Sequence, residues 1–156
     1  NLICDESPIG SPMKRTRFYQ NFCLIHKTTK WIIGFEANYG LQSNSCLIDP
    51  TKTATMFSSL LATKYRFTPK SACYMRGELF HDPNEILTGP VINENHAIVG
   101  LEIAGCTVGI EYKPIPNSYV RLEARALSNY NQHIFTYQQA PSKVRSEINF
   151  GIGVWF

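Results

Sequence analysis

The stretch RSEINFGIGVWF, residues 145–156, read in twos, divides into Ile148, Phe150, Ile152, Val154 and Phe156 on one face and Glu147, Asn149, Gly151, Gly153 and Trp155 on the other. A side-chain period of two is that of a β-strand. The last residues of a soluble domain commonly fray into water. Here the apolar alternation runs through Phe156, so the strand raises the question of which solvent its apolar face meets.

The same alternation recurs upstream. Trp31, Ile33, Phe35, Ala37 and Tyr39 lie opposite Glu36 and Asn38, and Val120, Leu122, Ala124 and Ala126 lie opposite Arg121, Glu123 and Arg125. Phe57, Leu61, Tyr65 and Phe67 oppose Ser58, Lys64 and Arg66, while Met75, Gly77 and Leu79 oppose Arg76 and Glu78. Enrichment in β-branched and aromatic residues then predicts seven strands, at 14–26, 31–43, 54–67, 72–82, 97–113, 119–128 and 146–156. KTTK, TPKS and IPNS form short turns, and 44–53, 83–96 and 129–145 form long polar loops. Such alternation of connections marks an up-and-down antiparallel sheet with two unlike ends. Glu36, Glu78 and Glu123 recur after the short turns as part of a hairpin repeat.

A chain of 156 residues without a linker reads as one domain, 1–156. Charged residues make up 17%, below the roughly 25% of an average soluble protein. No stretch approaches the ~18 apolar residues of a membrane helix, and the first residues lack the basic start and apolar run of a signal peptide. A net charge of +3 spread along the chain does not predict nucleic-acid binding.

The five cysteines show no zinc spacing. HDPNE, with His81, Asp82, Asn84 and Glu85, reads as a solvated loop rather than a metal site, because Pro83 marks a turn. His26, His81, His96 and His133 fall in separate segments, so the sequence predicts no active site, no enzyme activity, no metal and no cofactor.

Alternation alone does not distinguish a lipid-facing band from a sandwich core. Three features favour lipid. Aromatics cluster near strand ends, at Trp31, Tyr65, Phe67, Tyr112, Tyr119 and Phe156, as interfacial girdles require. The strands reach the ~9–11 residues that span a bilayer at a tilt. The apolar alternation also continues to the last residue.

RFTPKSACYMRGELFHDP and EYKPIPNSYVRLEAR, together with the terminal strand ending in Phe156, resemble the porin-2, OmpL-like family of bacterial outer-membrane β-barrels. The shared pattern is Arg-x-Glu after a Pro-containing turn, here Arg76-Gly77-Glu78 and Arg121-Leu122-Glu123. The likeness covers roughly residues 14–156 and matches the C-terminal part of such proteins. It implies a transmembrane antiparallel β-barrel in the bacterial outer membrane, bounded by outer-membrane lipid and passing small hydrophilic solutes. It also implies that Phe156 is an assembly signal read by the outer-membrane insertion machinery.

The charged face supplies the expected lining: Arg15, Arg17, Glu36, Lys64, Arg66, Arg76, Glu78, Glu111, Lys113, Arg121, Glu123, Arg125 and Glu147. Two readings of it stay open, a hydrated pore or a salt-bridged interior that fills a narrow barrel. Its basic surplus favours anions weakly.

Outer-membrane barrels place short turns and the C-terminus in the periplasm. Counting back seven strands puts residue 1 outside and calls for at least one upstream strand to close an even-stranded barrel. The chain would then be the C-terminal portion of a longer one. A disulfide between Cys4 and Cys46 stays open, and Cys73 and Cys106 share the apolar parity. The competing reading is a soluble β-barrel or sandwich that binds a ligand and buries the apolar face as its core.

Overall fold

The computed structural model describes residues 2–5, 7 and 13–156, and every regular element among them is a strand. In chain order these are β1 (Leu2–Asp5), β2 (Thr16–Lys27), β3 (Trp31–Gln42), β4 (Ala54–Arg66), β5 (Ser71–Asp82) and β6 (Val91–Ile92). They continue with β7 (Ile98–Val99), β8 (Leu101–Tyr112), β9 (Ser118–Asn129), β10 (Phe135–Tyr137), β11 (Ala140–Ser142) and β12 (Val144–Val154). One antiparallel sheet holds eight of them in the order β1-β2-β3-β4-β5-β8-β9-β12. Each strand pairs with its predecessor and successor within that sheet, which is the up-and-down topology expected from the sequence. The sheet is open, with β1 and β12 at its edges.

Two expectations are corrected. The sheet has eight strands rather than seven, because the four residues of β1 pair with β2 from Leu2↔Tyr19 to Asp5↔Thr16. That segment is too short for its alternation to register. Two of the long loops carry hairpins of their own: β6 pairs with β7, and β10 with β11. Gln138 and Gln139, both at positive φ, close the second as a two-residue turn whose twist suits the flanking strands. The expected position of residue 1 lies outside the described residues.

The short turns form one rim, and backbone bonds stitch neighbouring turns together. Arg66 N donates to the Lys30 carbonyl at 2.8 Å, Lys113 N to the Lys70 carbonyl at 2.8 Å, and Trp155 N to the Asn117 carbonyl at 3.1 Å. The long connections form the opposite rim.

Burial is inverted relative to a water-soluble protein. Among the described residues, the buried polar side chains are Asn38, Gln42, Asp82, Thr107, Glu111, Ser118 and Asn129, whereas the buried apolar ones are only Ala54, Met56, Ala72 and Ile86. The apolar face stays exposed: Leu61, Met75, Val108, Leu122 and Phe150 all point outward, and Ile148 is 80% accessible. An exposed apolar face of this extent marks contact with an apolar partner or membrane. A soluble sandwich would bury this face as its core, and in this sheet it is exposed. Trp31, Tyr65 and Phe67 stack on that outer face near the short-turn rim, with ring centroids 4.6 and 5.2 Å apart. Tyr119, expected among these girdle aromatics, instead shares the inner parity of Arg121 and lies over Gly153.

Candidate functional site

The inner wall is built from alternate residues of β2 to β12, and register decides which of them meet. Glu111 on β8 lies directly across from Arg121 on β9, as parity and the short IPNS turn require. Its carboxylate, in a residue only 6% exposed, accepts from Arg121 Nη2 at 2.9 Å and from Lys64 Nζ at 2.6 Å. Lys64 belongs to β4, so it reaches over β5 to do this. Burying a carboxylate with two cations avoids the cost of an unpaired charge.

A second tier lies deeper. Arg125 on β9 pairs with Glu78 on β5, passing over β8. Arg76 sits 3.5 Å from the same carboxylate and donates to the Thr107 hydroxyl at 3.3 Å. Tyr74 on β5 likewise crosses β8 and donates its hydroxyl to Glu123 on β9 at 2.5 Å.

These crossings depend on GCTVG, residues 105–109. Gly105 and Gly109 both face inward, and a Cβ on Gly109 would lie 2.4 Å from the Tyr74 ring. On Gly105 it would lie 2.5 Å from Glu78 Oε1. The two glycines are thus troughs in which side chains of β5 lie flat along the wall. The space that Gly109 leaves beside Glu123 is taken by Tyr74. Arg121 completes the tier by stacking over both Tyr74 and Tyr119, at 5.2 and 4.9 Å from the ring centroids.

Toward the long-loop rim amide side chains take over as the hydrogen-bond partners of the charged groups. Glu36 accepts from Asn21 at 3.2 Å and from Asn38 at 3.0 Å. Arg17 donates to Gln42 at 2.7 Å and also to the carbonyl of Ile86. That second bond marks where the loop after β5 bends inward: Ile86 packs on Ala54, Met56, Tyr19 and Phe80, all of inner parity. Asp82 holds the bend. Fully buried, it accepts from the backbone N–H groups of Ile86, Leu87 and Thr88 at 2.9, 2.8 and 3.1 Å.

HDPNE is therefore a loop anchor, with Asn84 accepting from Leu47 N at 3.1 Å. Among the described residues no group of metal-ligating side chains could hold an ion. Burial, followed by the charge of Asp82, raises the Glu85 carboxyl above its ordinary pKa.

The remaining expected residues scatter. Arg15 lies before β2 and donates to the Asn44 carbonyl at 3.0 Å. Arg66 and Lys113 stand at the short-turn rim, and Glu147 pairs with Arg145 at 2.6 Å. Phe156 lies past β12 and is exposed. Cys23, Cys46, Cys73 and Cys106 are free thiols. A depression of about 800 Å3 opens among Met75, Val108, Leu122 and Ile148 of the outer face, and its lining also includes Tyr74 and Glu123.

Comparison with known families adds one decisive match: the family described as Putative beta-barrel porin-2, OmpL-like, covers residues 4–156, nearly the whole chain. The chain belongs to this OmpL-like porin family. No curated protein and no solved structure matches it.

In this OmpL-like porin, sequence reasoning missed several inner-wall residues. Tyr74 and Tyr119 stand two places before Arg76 and Arg121, so parity alone would have placed them inside. Arg145 fell just outside the expected strand. Asn21 and Thr107 carry no charge and gave no signal in a search for charged faces.

Proposed function

We propose that the chain forms the wall of a bacterial outer-membrane channel that passes small hydrophilic solutes or ions down their gradients. The observation that carries this reading is the inversion of the sheet, with apolar residues exposed and ion pairs sheltered. Outer-membrane lipid would cover the apolar face, and the charged residues from Lys64 to Glu147 would line the water path. Passive flow of this kind needs no catalytic group and no cofactor.

Between a hydrated pore and a filled interior, the geometry favours the pore. Lys64, Tyr74 and Arg125 reach their partners along the wall, over neighbouring strands, and Tyr74 and Glu78 lie in the troughs left by Gly109 and Gly105. Side chains that lie flat leave the space above them to water.

Reconstitution of the full native protein into planar bilayers tests this. Stepwise conductance that scales with bulk electrolyte supports a pore. A protein that needs detergent for extraction, shows heat-modifiable gel mobility and yet conducts nothing would favour the filled interior. One that stays in the aqueous fraction would contradict the membrane reading altogether.

A further inference from the structure

The basic surplus of the wall is not spread evenly. Below the short-turn rim four guanidinium groups meet carboxylates: Arg76 and Arg125 at Glu78, Arg121 at Glu111 and Glu123, Arg145 at Glu147. At the rim the balance changes. Lys64, Arg66, Lys70 and Lys113 surround one cleft of about 40 Å3 between the β4–β5 turn and the end of β8. Its one carboxylate, Glu111, is already shared by Lys64 and Arg121. Among the described residues, Arg66, Lys70 and Lys113 make no ion pair.

The cleft is also held in shape. Thr68 Oγ1 accepts from the backbone N–H groups of Lys70 and Ser71 at 3.1 and 3.0 Å, which fixes the turn. Lys70 Nζ donates to the Pro114 carbonyl at 3.3 Å, and the bond from Lys113 N to the Lys70 carbonyl ties the two turns together. Like charges held this close repel one another, and an anion between them removes that cost. Lysine and arginine heads supply several donors each to such an anion, in charge-assisted bonds. The volume exceeds that needed for a single water and suits a small ion rather than a sugar.

We propose that this cleft binds a small multivalent oxyanion of the phosphate class at the short-turn mouth, and so sets the solute preference of the channel. The inference rests on the channel reading for its role in transport. The site itself rests on the cleft. Lys64 and Lys113 have inner parity, so the ion comes from solution on the water side rather than from a lipid headgroup on the apolar face.

The test is calorimetric titration of inorganic phosphate into the full native protein in zwitterionic detergent at low ionic strength, with folding checked by heat-modifiable gel mobility. Saturable binding is expected, weakened at least tenfold in Lys70→Gln/Lys113→Gln and unchanged in Lys52→Gln, a loop lysine far from the cleft. Lys70→Gln alone, expected to show an intermediate loss, serves if the double variant misfolds. Absence of saturable binding, or equal affinity in the cleft variants, overturns the proposal.

Retention of phosphatidylglycerol in nanodiscs that depends on Lys70 and Lys113, and that inorganic phosphate does not compete away, also overturns it, in favour of a lipid site. Conductance separates the two readings. A conducting protein without phosphate binding refutes the cleft alone, and a binding protein without conductance refutes the channel alone.

Discussion

Leu122 and Arg121 are chain neighbours on β9, yet they meet opposite worlds. Leu122 stands outward and exposed, while Arg121 turns inward to Glu111 and stacks on two tyrosines. The same contrast holds for Met75 against Arg76 and for Ile148 against Glu147. A water-soluble sheet buries its apolar face and solvates the other. This one shelters its polar face with ion pairs and hydrogen bonds and leaves its apolar face bare.

The largest expected effect breaks that contrast at its centre. Leu122→Arg should destabilise the barrel by about 2–4 kcal/mol if the site lies near the bilayer midplane. Arg121→Leu should cost less, because Lys64 still neutralises Glu111. Urea titration of the protein folded into lipid vesicles measures both, and equal losses would mean that the two faces share one solvent.

Glycines sharpen the comparison. Gly109→Val would drive the new side chain into Tyr74, breaking its bond to Glu123, at a cost of about 1–3 kcal/mol. Gly77 faces outward with nothing within 4 Å of a built Cβ, so Gly77→Val should be neutral or stabilising in the same titration. A larger loss at Gly77 than at Gly109 would reverse the assignment of faces.

The inner wall has one apolar exception, where Ile86 turns in from the loop. Asp82→Asn weakens the acceptor for three backbone N–H groups and should destabilise that bend by about 1–2 kcal/mol. Amide exchange at Ile86, Leu87 and Thr88 should accelerate while β9 stays protected. Uniform acceleration across the sheet would show that the loop is not a separable unit.

The smallest effect concerns Glu85. Its carboxyl is held above the ordinary value, so the folded loop favours the protonated form. The stability this contributes is present at low pH and is lost as pH rises through the raised pKa. Protection at Ile86 should therefore decline over that window in the native protein and stay level in Glu85→Gln.

Much of this was legible in the sequence, and the failures have physical causes. The two faces of β3, β9 and β12 follow from parity, because a period of two fixes orientation once a strand is recognised. Parity and a short turn restrict Glu111 to a place across from, or diagonal to, Arg121, and the register selects the first. Tyr119 was misplaced because its nearness to a strand end was weighed without its parity. β1 was missed because LICD has too few residues to alternate. The inward bend at Ile86 depends on Asp82, which gathers backbone donors from the residues that follow it, and neither a period nor a motif announces such a contact. The ladder across Gly105 and Gly109 was only partly visible: the inward parity of Gly109 leaves room beside Glu123, but only the register of β5 against β8 shows that Tyr74 fills it.

The central claim is the inversion of the two faces, and accessibility along β9 tests it most directly. Single spin labels at positions 121 to 126, on a background with the native cysteines replaced, would be read in lipid bilayers against oxygen and a water-soluble nickel complex. The account predicts alternation: labels at 122, 124 and 126 relaxed by oxygen, and those at 121, 123 and 125 by the nickel complex. Equal accessibility at neighbouring positions, or the opposite parity, would contradict it.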